Sequence, residues 1–464
     1  MGVESPEILH NGQSAAAVES AEVRHEDARR RRLWPRGAAV GLVVGVLAVA
    51  FRWALDEGDA LRLSFILWAQ HFGVVGILLP MGASGTLAAI GLYMVETFAP
   101  EVAGSGIPHA RAVVRGWREI RPWRVIPVKF AGGALSLGAG LAMGREGPTV
   151  QMGSAGGDLV ASALRSKPYE RRALVAAGAG AGLAAAFNAP LAGMIFVLEE
   201  IQRDLDPATF TTAFVACILA DVVSRLCFGP YLVFTVAPET TPTVGSLPFF
   251  VALGCAAGVL GVAFNRGLLG SLDFFNRIKS VPVLARGFAV GALVGALGFF
   301  HPHLLGGGRE IAQEALTGSG RLSHIPALFA ARFALTMGSY GSGAAGGIFA
   351  PFLALGAQLG LACGLVTQQL APTLANPADF AVVGMAAYFT AIVRAPLTGI
   401  VLIVEMTAGY SLMLPLLCAC LAAYAVAEAM GDEPIYEALL ERMLRGDHKP
   451  EADLGHTQEE ARAG

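Results

Sequence analysis

Gly144-Arg145-Glu146-Gly147-Pro148 lies inside a stretch otherwise rich in Gly, Ala and Leu, so a carboxylate and a guanidinium stand in surroundings apolar enough for a lipid bilayer. Charge at membrane depth is expensive, and residues that bear it there mark ion pathways by default. The glycines let the backbone approach an ion closely. Pro148 suits the first turn of a new helix, whose free N–H groups attract anions. Two other segments, Gly104-Ser105-Gly106-Ile107-Pro108 and Gly346-Gly347-Ile348-Phe349-Ala350-Pro351, repeat the same order of glycine and then proline.

The 464 residues are 54% hydrophobic and only 15% charged, which leaves too little polar surface for a soluble globule. Apolar runs such as Gly37 to Phe51, Phe72 to Met94 and Phe249 to Phe264 approach the length of a bilayer crossing once their flanks are included. They lack the alternation of a membrane barrel, and backbone groups in lipid must be bonded internally, so helices are the consistent solution. The expected class is an all-α polytopic membrane protein.

The net charge of −3 says little about partners, but the placement of charge is informative. Arg24, Arg29, Arg30, Arg31, Arg32 and Arg36 crowd the approach to the first apolar run, which puts the N-terminus in the cytoplasm. About thirty-six polar residues come before that run, so no short cleavable signal is expected. The six cysteines are scattered without metal-ligand or pairing pattern and read as small core residues. Four regions follow: a loosely ordered basic cytoplasmic arm at 1–36, a first membrane half at 37–231, a second at 232–446 that ends in an amphipathic helix opened by Pro434, and a short charged cytoplasmic tail at 447–464.

An internal repeat sharpens this division. Ala189-Pro190-Leu191-Ala192-Gly193 leads to Glu199 as Ala395-Pro396-Leu397-Thr398-Gly399 leads to Glu405, at an offset of 206. Pro148 corresponds to Pro351 at an offset of 203, and Ile126-Pro127 precedes one as Ile325-Pro326 precedes the other. Two related halves are expected, parallel or inverted. Interrupted helices in each half would bring several N-termini together near the midplane. Each carries about half a positive charge and unpaired N–H donors, so a halide can be held there without a full lysine charge that would bind it too tightly.

The ordered set GSGIP at 104–108, GREGPTVQ at 144–151, GLAAAFNAPLAG at 182–193 with Glu199-Glu200 after it, and GGIFAP at 346–351 resembles the CLC chloride channel and transporter family. The resemblance covers nearly the whole membrane body. It implies two inverted halves with interrupted, tilted helices, and a homodimer in which each subunit has its own anion pathway. It implies that Ser105 and Tyr436 offer hydroxyls to chloride, and that Ile348 and Phe349 offer backbone amides. Glu146 matches the gating glutamate, whose ionised carboxylate competes with chloride and whose protonated form swings away. Glu200 matches the inner proton-transfer glutamate, and Glu199 lines a water path beside it or orients it. The sequence departs from many relatives in carrying His109 and Arg111, rather than acidic residues, after Pro108, and the partner of Arg145 stays open.

The function so implied is exchange of chloride for protons across a bacterial inner (plasma) membrane by a multi-pass protein with both termini cytoplasmic. No cofactor, metal, nucleic acid or enzymatic activity is expected. A passive gated chloride channel of the same fold is the alternative. An intramembrane protease is disfavoured, since the zinc-binding pattern HExxH does not occur.

Overall fold

The computed structural model describes residues 6–204, 206–236, 242–372, 374 and 376–447. The tail expected from 447 onward falls, beyond Asp447, outside the described residues.

Among the described residues the chain forms seventeen α-helices and no extended strand. The first half holds α1 (Pro6–Gln70), α2 (Leu78–Phe98), α3 (Ile107–Val114), α4 (Pro122–Gly138), α5 (Glu146–Ala163), α6 (Pro168–Phe187), α7 (Pro190–Phe196) and α8 (Pro207–Phe228). The second holds α9 (Leu247–Arg277), α10 (Val283–Phe300), α11 (Arg309–Ala315), α12 (Ile325–Gly341), α13 (Phe349–Leu370), α14 (Pro377–Val393), α15 (Pro396–Thr407), α16 (Met413–Ala429) and α17 (Ile435–Asp447). Among the described residues, seven helical segments are long and apolar enough to cross a bilayer, the first being Arg31–Gln70 and the last Tyr410–Ala429. Residues 6–36, read from the sequence as a loosely ordered arm, are instead helical and run without a break into the first of these. Their Ala, Glu and Arg content favours helix.

Proline and left-handed residues cut the other helices short. α6 ends at Asn188 (φ 52°) and α14 at Arg394 (φ 65°); in each case an extended alanine follows and a proline opens the next helix. The broken helices pack closely through glycine. Gly153 of α5 meets Gly178 of α6, and Gly356 of α13 meets Gly384 of α14. A β-carbon on Gly178 or Gly384 would stand 2.1 or 2.4 Å from the facing carbonyl oxygen. α6 and α14 are buried along most of their length, so each half wraps around a glycine- or alanine-rich central helix.

The relation between the halves follows from two glutamates. Glu199, just beyond α7, accepts hydrogen bonds from Leu397 N and Thr398 N at the start of α15 (3.2 and 2.7 Å). Glu405, near the end of α15, accepts from Leu191 N and Ala192 N at the start of α7 (3.1 and 2.8 Å). The C-terminal end of each helix therefore lies against the N-terminal end of its repeat equivalent, so α7 and α15 run antiparallel. Equivalent helices that run in opposite directions make the halves inverted.

The six cysteines, read from the sequence as small core residues, are not all in the core. Cys217 and Cys420 are buried, but Cys227 and Cys255 are exposed and Cys363 and Cys418 half-buried. In a membrane protein the outer surface meets hydrocarbon, which accepts a thiol as readily as a core does.

Candidate functional site

Three loops that precede helices meet at one place. Gly104 N donates to Ala344 O and Gly346 N donates to Gly104 O, both at 3.1 Å, which joins the α3 loop to the α13 loop. Gly144 and Gly347 exchange both backbone bonds, at 2.8 and 2.7 Å, which joins the α5 loop to the same segment. Gly147 then lies so close to Ser105 that a β-carbon on it would stand 2.6 Å from the Ser105 carbonyl oxygen. The starts of α3, α5 and α13 are thus tied together by backbone bonds, and their first N–H groups have no acceptor within their own helices.

Ser105 is fully buried at this junction. Its Oγ accepts from Ile107 N at 3.3 Å, so the hydroxyl hydrogen is left to point elsewhere. Its backbone N–H donates to the Tyr340 hydroxyl at 3.4 Å. Ile348, the N-cap residue of α13, and Phe349, its first residue, are also fully buried. The Phe349 ring is held among Phe187, Phe196 and Phe389, with centroids 6.2, 5.9 and 4.9 Å away. It lies 6.1 Å from the Tyr436 ring at an interplanar angle of 23°, which brings α17 to the same junction. Tyr436 is fully buried and its hydroxyl has no hydrogen-bond partner among the described residues. A buried O–H left without a partner is costly, so this one is available to a ligand.

Glu146 opens α5 on the other side of the Gly144–Gly347 bridge. Its carboxylate lies in the notch between Gly144 and Ala350, and Oε2 has no hydrogen-bond partner among the described residues. The side chain borders a cavity of about 150 Å³ whose wall includes Arg145, Phe187, Gly307, Arg309 and Asp56. Arg145 turns away from Glu146: its Nη2 donates to Ala186 O at 3.1 Å and its Nη1 stands 3.8 Å from Asp56. That supplies the partner the sequence left open.

Ser105, Glu146, Ile348, Phe349 and Tyr436 therefore meet at one junction, whereas Glu199 and Glu200 stand apart from it. Glu199 has both oxygens engaged by α15, and Oε2 also accepts from the Thr398 hydroxyl at 2.8 Å. This favours an orienting part over lining a water path. Glu200 sits in a π-helical turn, Val197–Gln202, and accepts from Arg111 Nη1 at 2.9 Å, both side chains being buried. Arg111 also donates to Glu437, and Arg203 donates to Glu437 at 2.8 Å.

Sequence reasoning passed over Tyr340, Lys129 and Glu437. Lys129 is fully buried and donates to the carbonyls of Val102 and Gly104 at 2.7 Å each, which clamps the loop that leads to Ser105. A lysine amid apolar residues was a readable signal. Tyr340 and Glu437 gave none, since their neighbours come from distant parts of the chain.

The chain is similar to known proteins along most of its length. A family profile described as voltage gated chloride channel matches residues 85–428. The H(+)/Cl(−) exchange transporter ClcA of Vibrio parahaemolyticus is 41% identical over 433 residues, covering 91% of this chain and 92% of the relative. That of Yersinia pestis is 38% identical over 457 residues, covering 97% and 95%. The crystal structure of a slow cyanobacterial Cl−/H+ antiporter superposes with a TM-score of 0.87 at 37% identity, over 90% of this chain and 99% of that one. With inverted halves, three bridged helix starts and this extent of identity, the chain belongs to the voltage gated chloride channel (CLC) family.

Proposed function

We propose that the protein exchanges chloride for protons across a bacterial inner membrane, as a homodimer with both termini in the cytoplasm. Chloride is held by the hydroxyls of Ser105 and Tyr436 and by the amides of Ile348 and Phe349. Glu146 is the gate and outer proton acceptor, and Glu200 is the inner proton relay. The observation that carries this reading is the buried Glu146 carboxylate, whose Oε2 has no hydrogen-bond partner among the described residues, set against helix starts whose N–H groups attract anions. Ionised, it is itself the anion that the site attracts; protonated, it is neutral and gives way to chloride. One side chain thereby makes protons and chloride compete. Relatives named as exchange transporters over nine-tenths of the chain support coupling of the two ions.

Paired chloride and proton fluxes from reconstituted vesicles test it. Glu200→Gln abolishes proton movement while chloride still flows, and Glu146→Ala leaves chloride flux uncoupled and independent of pH. Proton pumping that survives Glu200→Gln overturns the relay assignment. A passive gated chloride pathway is the second reading. It is favoured by the ion pair between Glu200 and Arg111, which engages one oxygen of that carboxylate. Reversal potentials under opposed gradients separate the two, because a passive pathway ignores the proton gradient.

A further inference from the structure

Arg111 has no part in the roles above, yet it is fully buried and pairs with carboxylates on two different elements. Nη1 donates to Glu200 Oε1 at 2.9 Å, and Nη2 donates to Glu437 Oε2. Arg203 closes the ring. Its Nη1 donates to Glu437 Oε2 at 2.8 Å, and its Nη2 stands 3.8 Å from Glu200 Oε2. Arg115, just beyond α3, and Glu199, beside Glu200, are the other charges that face this group.

The ring joins the elements that carry both ions. α3 starts beside Ser105, α17 starts beside Tyr436, and the π-helical turn carries Glu200. Arg111 lies four residues beyond Ile107, about 6 Å along the helix axis, so it is rigidly connected to the start of α3. A single guanidinium shared by two carboxylates responds when either one changes charge, and strongly so where water is scarce. None of Arg111, Glu200 and Glu437 borders the cavity at Glu146, so the ring answers to a different part of the pathway.

We propose that Arg111 and Glu437 form a latch that couples the proton on Glu200 to the setting of Tyr436. When a proton adds to a Glu200 oxygen, the guanidinium is left to Glu437, and α17 is drawn onto α3 with Tyr436 closed against the anion. When the proton leaves, Arg111 returns to Glu200 and α17 relaxes. No bond changes other than that to the proton. The inference rests on Glu200 being the relay and adds Arg111 and Glu437 as positioning residues that link it to the anion site.

A double-mutant cycle with Glu437→Gln and Glu200→Gln tests the latch in full-length protein, with chloride affinity read by calorimetry. Glu200→Gln mimics the protonated relay, in which Glu437 alone holds Arg111. Glu437→Gln therefore weakens chloride binding at least about threefold more in the Glu200→Gln background than in the native one. It also moves the inner pH of half-maximal proton transport to a lower value, because both guanidiniums then favour ionised Glu200. Glu437 is 27% exposed, so the amide folds in its place, and elution volume and thermal unfolding verify this. Equal weakening in both backgrounds with an unmoved pH midpoint overturns the latch, since a merely structural contact behaves that way. Proton transport that persists in Glu200→Gln alone overturns the relay reading instead, and the latch falls with it.

Discussion

Glu146 Oε2 lies 2.0 Å from the point where a β-carbon on Gly144 would stand, so the carboxylate occupies space that only glycine leaves open. The Ala350 methyl closes the far side of the same notch, 2.9 Å from that point. Gly144→Ala evicts the carboxylate while keeping the backbone bonds to Gly347, because those use only N–H and C=O. The expected outcome is a gate that no longer seats: chloride flux persists, and the protons moved per chloride fall toward the Glu146→Ala value. Paired flux measurements decide it, and unchanged coupling would show that the carboxylate has a second place to sit.

Tyr436→Phe separates ligand binding from stability. The hydroxyl is buried without a partner among the described residues, so its removal relieves an unpaired polar group and leaves thermal stability in chloride-free buffer unchanged or slightly higher. A hydrogen bond to a charged ligand is worth about 2 kcal/mol, so chloride affinity falls about thirtyfold. Ser105→Ala loses comparable affinity but also destabilises the fold by about 1 kcal/mol, because Oγ accepts from Ile107 N. Calorimetry and thermal unfolding on the two variants distinguish a hydroxyl that serves only the ion from one that also serves the helix.

Glycine and proline carry local information, which is why the helix starts at Ile107, Glu146 and Phe349 could be read from the chain alone. The repeat was legible for the same reason, as Ala-Pro breaks recur at Ala189 and Ala395. Inversion was not legible in the repeat itself and came only with the family resemblance, because it lies in the reciprocal bonds of Glu199 and Glu405 across about two hundred residues. Most of the surroundings of Glu200 were hidden likewise: Arg203 stands only three residues on, but Arg111 and Glu437 come from distant parts of the chain, and only folding brings their charges to it. Cysteine burial failed because sequence shows that a segment is apolar but not whether it faces protein or lipid.

Lys129 and Arg332 occupy equivalent places in the two halves, at an offset of 203. Lys129 Nζ donates to Val102 O and Gly104 O, while Arg332 donates to Leu304 O at 2.7 Å and to Gly306 O. Gly106 and Gly308, which close the two clamped loops, share a left-handed backbone, at φ 79° and 82°. Methionine in place of either cation frees two buried carbonyls and lowers stability by about 2 kcal/mol. The functional consequences differ. Lys129→Met loosens the loop that holds Ser105 and weakens chloride binding. Arg332→Met loosens the Gly306–Gly308 wall of the cavity by Glu146 and leaves binding at Ser105 nearly intact. Chloride calorimetry on both variants checks the asymmetry.

Glu199 and Glu405 each satisfy two N–H donors of the partner helix, and Glu199 also takes the Thr398 hydroxyl. Alanine at either site strips the start of α15 or α7 and lowers stability by about 1–3 kcal/mol, since two helix-start amides, one of them on a buried residue, lose their charged acceptor. The losses do not add in the double variant, because both act on the same antiparallel pair and breaking one end already loosens the other. Glu199→Gln retains one acceptor oxygen and recovers part of the stability. The same variant separates the two readings of Glu199. A carboxylate that lines a proton path loses its purpose as an amide, so proton flux would drop while the melting temperature stayed high. A helix cap predicts the reverse: the melting temperature falls between native and Glu199→Ala, and proton flux follows the amount of folded protein. Proton flux per folded molecule, set beside thermal unfolding of the three proteins, decides between them.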